Sequence, residues 1–360
     1  MNSMNNLSKL PLDIFKELIE INSPSRHEGS MAARVIDYLQ EAGLETLQDR
    51  TSNYINSQTG NIIGIKPPCE DGILMVAHLD RVEPGQNIKL IKEGQYLKSQ
   101  GETILGADNL AGISAILSFL LINKNYLPEG LGVLFTVAEE LGLLGASFLP
   151  ESFLDLFDHA IVLDGEAQVG SFFVEEPAAC FFLFQIVGQE SNASRRLNLQ
   201  IARSTINDIG NHVRSFFIKD GLPVAGAELD SIIIAARGSN TNHLIRKWPD
   251  LLAHKIKDVL PDIKGEISLL HCSQGINFTD EKPSWLKSLI KSTRVAGHRP
   301  ELIKSGDISE AGLISTRGLP AINIGTGAEN SHSTSEKLKI EELANQVDIL
   351  TEYIIEGGYF

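Results

Sequence analysis

Cysteine is scarce in this chain of 360 residues: there are three, Cys69, Cys180 and Cys272, far apart and odd in number. No disulfide framework and no cysteine-rich zinc pattern is expected from that spacing, and a reducing cytoplasm is the compartment it points to. Positive charge is also in deficit, 31 Lys and Arg against 46 Asp and Glu, for a formal net charge of −15. Such a surface repels phosphates, so no nucleic-acid partner is expected. Long apolar runs are missing. Ile113 to Ile122 is interrupted by Ser114 and Ser118 and is too short to cross a bilayer, and Met1 to Lys9 is polar with no apolar signal core. No membrane association is expected. Repeats and low-complexity segments are absent as well. What is present, 42% hydrophobic and 21% charged residues, suits one large globular domain or two ordinary ones.

Apolar residues fall at helical spacing over Leu10–Ile21, Met31–Ala42 and Asn109–Leu121. Strand-length apolar runs occupy Ile62–Ile65, Ile73–Ala77, Leu131–Val137 and Ala160–Leu163. Strands alternating with helices predict an α/β fold, a sheet with helices on both faces. After Glu166 the texture changes. Ser171–Val174 and Ala179–Val187 read as antiparallel strands, Leu197–Phe217 as a helix, Ser231–Ala236 as a strand, Trp248–Val259 as a helix and Glu266–Leu270 as a strand. This is a smaller α+β insert at 169–282, which leaves 1–168 and 283–360 as one discontinuous domain. Pro283 and Ser284 open a new helix, Ala321–Ile324 returns as a sheet strand, and Ile340–Ile355 closes the chain as an amphipathic helix.

The chemistry sits at the ends of the strands. His78-Leu79-Asp80, Gly106-Ala107-Asp108-Asn109, Ala138-Glu139-Glu140, Leu163-Asp164-Gly165 and Ser331-His332-Ser333 mostly follow apolar runs directly. In open α/β sheets, ligands lie outside the carboxyl ends of the strands. Taken singly, these residues read as a structural histidine, a solvated loop pair or a helix cap. Taken together, two imidazoles and several carboxylates on one rim predict a site for two divalent metal ions. Zinc is the default for imidazole and carboxylate ligands; manganese or cobalt suits the same oxygen-rich set. Asp108 is assigned as the bridge, His78 and Asp164 to one metal, Glu140 and His332 to the other. Asp80 is expected to accept the second ring N–H of His78 and fix its tautomer. Glu139 is the spare carboxylate, the general base toward a metal-bridging water. The chemistry predicted is hydrolysis of amide bonds.

These blocks resemble the peptidase T-like dizinc exopeptidases of the M20 family, which also holds carboxypeptidases, dipeptidases and amino-acid deacylases. The resemblance is carried by Val76-Ala77-His78-Leu79-Asp80, Thr103 to Gly112 and Thr136 to Ala146. It implies a zinc-binding catalytic domain, an inserted lid or dimerisation domain with a homodimer formed through it, and short peptides or N-acyl amino acids as substrates. The gap between His78 and Asp108 is short and the insert follows Asp164, unlike the glucanase-type aminopeptidases, which favours the peptidase T-like branch. Aspartate at position 164 leans towards an aminopeptidase.

The insert departs from the family pattern. Relatives carry a His-Ala-Gly sequence whose imidazole stabilises the oxyanion; the matching stretch here, Gly188 to Ser194, has Asn192 in the histidine's place. Asn242 matches a substrate-proximal asparagine of relatives, and His243 beside it is a stand-in for the missing imidazole. A glycine-rich segment of relatives is reduced to Ser305-Gly306-Asp307. Substrate contacts are therefore expected from Asn192, Asn242, His243 and Asp307. The missing imidazole also leaves open a non-hydrolytic binding or regulatory protein on the same scaffold; an intact Glu139 argues against it.

Overall fold

The structure, a computed structural model, describes residues 9–69, 71–187, 213–222, 229–259 and 264–357. A nine-stranded mixed sheet organises the chain. Its order is Glu45–Gln48, Ile62–Ile65, Leu131–Thr136, Gly72–His78, Phe157–Gly165, Ala321–Gly325, Ser171–Glu176 and Ile276–Asn277, with Glu301–Lys304 also paired to Ser171–Glu176. The central four, Leu131–Thr136, Gly72–His78, Phe157–Gly165 and Ala321–Gly325, run parallel. Their near-continuous apolar runs follow from that position, because a parallel strand covered on both faces has no solvent side to alternate with. Helix Ala107–Ile122 packs on Gly72–His78 and Phe157–Gly165, and Leu10–Leu18, Gly29–Glu41 and Ile340–Thr351 pack on that helix in turn. It is buried almost all round, which explains why its sequence is apolar on every face rather than amphipathic.

A separate four-stranded antiparallel sheet has the order Val213–Leu222, Leu229–Gly238, Ala178–Val187, Lys264–Ser273. Its strands alternate. Phe182, Phe184, Ile232 and Ile234 face helix Thr241–Val259 and form a second core with Leu244, Trp248, Leu252 and Ile256. Phe181, Leu183, Ile233 and Ala235 join the main core instead. Ser171–Val174, expected as a strand of the insert, is part of Ser171–Glu176 and belongs to the large sheet, as does the short strand Ile276–Asn277. The helix expected over Leu197–Phe217 is corrected at its end: Val213–Leu222 is a strand, held by pairing with Leu229–Gly238 from Val213↔Ala236 onward. The rest of that stretch lies outside the described residues.

The cysteine expectation is also overturned. Cys180 and Cys272 are register partners on neighbouring strands and are joined as a disulfide across 92 residues of sequence, leaving Cys69 free. The cysteine count no longer argues for a reducing compartment. Among the described residues no helix is long and apolar enough to cross a membrane.

Candidate metal centre

Four of the acidic and imidazole side chains are delivered by strand ends. His78 closes strand Gly72–His78, Asp164 is the penultimate residue of Phe157–Gly165, and Glu139 and Glu140 begin the turn after Leu131–Thr136. Because these strands are parallel, all three ends meet at one rim. Asp108 stands at the head of helix Ala107–Ile122 in a non-helical conformation, with its peptide to Asn109 in cis. His332 rides the loop between the antiparallel strands Ala328–Glu329 and Lys337–Lys339.

These side chains interlock. His78 Nε2 lies 3.0 Å from Asp108 Oδ1 and 3.2 Å from Asp164 Oδ1. His332 Nε2 lies 3.1 Å from Asp108 Oδ2 and 2.8 Å from Glu140 Oε1. Asp108 therefore offers one oxygen to each imidazole. His78 is buried, whereas His332 is about half exposed, with 43% of its side chain open to solvent. Ligand atoms of His78, Asp108 and Glu140 all fall within 4.8 Å of one another.

The loops that carry these groups are gripped by buried acceptors. Four consecutive N–H groups are held by side chains: Val137 donates to Asn61 Oδ1 at 3.1 Å, Ala138 to Glu28 Oε1 at 2.9 Å, Glu139 to Asp80 Oδ1 at 3.0 Å and Glu140 to Asp80 Oδ2 at 3.2 Å. The grip matters because Ala138 sits at φ 50°, a left-handed conformation that a non-glycine residue keeps only when its surroundings enforce it. Asp80 thus does more than expected. His78 Nδ1 donates to the backbone carbonyl of Asp80 at 3.0 Å, with the carboxylate further off at 3.4 Å, because that carboxylate is engaged by Glu139, Glu140 and the Ser25 hydroxyl.

Electrostatics favour a cation. The carboxyls of Asp80, Asp108, Glu139, Glu140 and Asp164 surround two imidazoles, so acid is in excess. Burial opposes charge on His78, yet Asp164, Asp108 and Asp80 outweigh it and hold its pKa well above the ordinary value. Burial likewise opposes charge on His332, but Asp108 and Glu140 push it up to about 11. Asp108 is burdened by burial but pulled below the usual carboxylate range by His332 and His78. The others move the opposite way. Burial is the main cause that raises Glu140 to about 7, Asp164 to about 6, and Glu139 well above its usual range. Closely packed acids resist ionising together. Divalent cations would relieve that strain, and a carboxylate facing two imidazoles through its two oxygens has the form a bridging ligand needs. The donor set fits two such ions.

The model of Peptidase family M20/M25/M40 matches residues 74–356. The chain belongs to this family. Among its relatives, the uncharacterized protein YqjE of Bacillus subtilis is 26% identical over 375 residues, 96% of this chain and 98% of that protein. Peptidase T of Clostridium novyi is 25% identical over 279 residues, covering 72% of this chain and 67% of its own length. The cytosol non-specific dipeptidase of Escherichia coli is 32% identical over 185 residues, 47% of this chain and 36% of that protein. Among solved structures, aminopeptidase PepT from Bacillus cereus shares the fold at a TM-score of 0.72 and 22% identity, over 97% of this chain and 98% of that one.

The M20 centre opens into a cavity of about 760 Å³. Besides the ligand-bearing rim it is lined by Glu166, Phe173, Glu176, Phe181, Arg237, Asp307 and Ser309. Of the substrate residues expected from sequence, Asp307 is among those lining the cavity, where its Oδ1 accepts from Arg237 Nη1 at 3.0 Å. Asn242 and His243 are not brought there. They are exposed in the first turn of helix Thr241–Val259, where the N–H of His243 donates to Asn240 Oδ1 at 3.0 Å. Asn192 lies outside the described residues. Sequence reasoning missed Glu28, Asn61, Arg237 and Glu336. The first two and the last act on backbone N–H groups far away in sequence, and no local pattern marks such a partnership.

Proposed function

We propose that this M20 peptidase is a metal-dependent exopeptidase that removes residues from short peptides. In this reading two divalent ions, zinc by preference, would be held by Asp108 together with His78 and Asp164 for one and Glu140 and His332 for the other. The chemistry two such ions supply when bound is Lewis acidity. Glu139 takes a proton from the attacking water and returns it to the amine nitrogen as the amide C–N bond breaks. Asp80 holds the backbone of Glu139 and Glu140 and the imidazole of His78 in place. The observation that carries the proposal is the interlocked set of imidazoles and carboxylates with one carboxyl, Glu139, left outside it.

The cavity supports small substrates. Its lining carries the carboxyl of Glu166 beside the rim, with Asp307 paired to Arg237; a carboxylate there suits the free ammonium group of a peptide's N-terminus and so an aminopeptidase or tripeptidase. N-acyl amino acids, which lack that ammonium, are the alternative. We take the insert, expected at 169–282, to act as a lid, with dimerisation through it. The cytoplasm is the compartment this reading assigns, supported by the relative named for the cytosol.

The test is turnover of a panel of di- and tripeptides, with and without blocked N-termini, by protein loaded with zinc, manganese or cobalt. Glu139→Gln should lose cleavage while retaining metal. Metal-dependent cleavage that survives the substitution refutes the assigned base. Binding without turnover by the wild-type protein would favour a non-hydrolytic role.

A further inference from the structure

We propose that Glu336 is a positioning residue for the candidate metal centre: from the loop that carries His332, its carboxylate grips the turn that carries Asp108. The inference rests on the function proposed above. Glu336 is 1% exposed, and it spends both oxygens on backbone N–H groups across the site. Gly106 donates to Oε2 at 2.7 Å and Asp108 donates to Oε1 at 3.1 Å. These are amides at the start of a helix, which have no partner within the helix itself.

The same loop is fastened at its other end. The N–H of Asn330 donates to Glu166 Oε1 at 2.7 Å, two residues beyond Asp164. Between the two anchors the N–H of Glu336 donates to Ser333 O at 3.1 Å and the Ser333 hydroxyl donates to Asn330 O at 2.7 Å. His332 sits in this brace at φ 62°, with much of its side chain open to solvent. Packing therefore does little to fix its imidazole; the two anchors do. Glu336 sets the separation between His332 and Asp108 because it is four residues from one and hydrogen-bonded to the backbone of the other.

A buried carboxylate so close to Asp108 is costly for the fold. A glutamine of the same shape would present one acceptor, and its NH2 group would oppose an N–H. The geometry asks for two acceptors and accepts the extra charge, which Arg81 partly balances.

The experiment is a calorimetric titration of chelator-treated protein with cobalt(II), on wild type, Glu336→Gln and Glu336→Ala, with thermal melts of each metal-free protein. Two cobalt ions bind the wild type. In the variants one of the two binds about 10–100-fold more weakly, the typical cost of losing a group that orients a ligand, with the glutamine variant the milder. Peptide cleavage falls at limiting cobalt and recovers as cobalt is raised, in variants whose metal-free melts lie above the assay temperature, so that the recovery is not refolding driven by the metal. If the alanine variant does not fold, the glutamine variant decides. Folded variants that bind two cobalt ions with wild-type affinity overturn the proposal. A wild-type protein that takes up no cobalt overturns the metallopeptidase reading, and this inference with it.

Discussion

Asp80 Oδ1 accepts the backbone N–H of Glu139 at 3.0 Å, while its Oδ2 takes that of Glu140 at 3.2 Å and the Ser25 hydroxyl at 2.6 Å. One buried carboxylate thus aims two adjacent side chains, the candidate base and a candidate ligand, that must point in different directions. Asp80→Ala leaves both amides without a partner in a buried turn. Turnover should fall about 10–100-fold at saturating metal, because a misaimed Glu139 stays misaimed when every metal position is filled. Asp80→Asn keeps one acceptor and should fall between the two. Steady-state kinetics combined with metal analysis checks this; loss of metal in step with activity would count against a role in aiming Glu139.

A second prediction concerns the turn before Asp108. Gly106 has φ 73°, and a Cβ there would collide with the Arg81 side chain. That arginine cannot step aside, since it is buried and its guanidinium donates to the carbonyls of Ile19 and Ile21 and to the Ser23 hydroxyl. Gly106→Ala should cost about 1–3 kcal/mol from crowding and the left-handed backbone, read by urea denaturation of the metal-free protein. An unchanged midpoint would show that the turn relaxes freely.

Three of the five candidate ligands were readable in the sequence because parallel strands put them at one rim; Asp108, at a helix head, and His332, on a loop, are not placed by that rule. An apolar run announces each strand, and the residue just past its end is almost forced into the site. His78, Glu139, Glu140 and Asp164 follow from that rule. What grips them did not. Glu28 lies 110 residues from the Ala138 amide it accepts, and Glu336 lies 230 from that of Gly106. A side chain that bonds to a backbone group leaves no mark on its partner's identity. The same blindness explains the cysteines, since antiparallel pairing of Ala178–Val187 with Lys264–Ser273 is what brings Cys180 to Cys272. It also explains Val213–Leu222, where pairing with a neighbouring strand decides the conformation over the local pattern.

Metal removal should weaken the fold as well as stop catalysis. The carboxyls of Glu139, Glu140 and Asp164 are driven up chiefly by burial, so without a cation the site holds protons it would otherwise release. Cations that bind only the folded chain add about 2.7 kcal/mol when present at a hundredfold excess over Kd. Zinc-loaded protein should therefore melt several degrees above chelator-treated protein, and the gap should widen as zinc is raised. Identical melting temperatures at every zinc concentration would contradict a metal held by these residues.

The last prediction lies away from the centre. His159 is fully buried, stacked on Trp285 at 4.5 Å, and its Nε2 is 2.9 Å from the Tyr353 hydroxyl. Burial lowers its pKa to about 4, against an opposing pull from Asp158. The unfolded chain, with histidine near 6.5, binds the proton first as pH falls. Neutral His159 thus favours the folded state fully above pH 6.5, and this advantage drains away as pH drops from 6.5 through 4. The shift amounts to about 3 kcal/mol. His159→Gln can still reach the Tyr353 hydroxyl but does not titrate. It should be less stable than wild type at pH 7.5, because the ring stacking is gone, and should show a shallower loss of stability between pH 6.5 and 4. Parallel urea midpoints for the two proteins across that window would mean that His159 is not the group responsible, and that acid sensitivity comes from elsewhere in the fold.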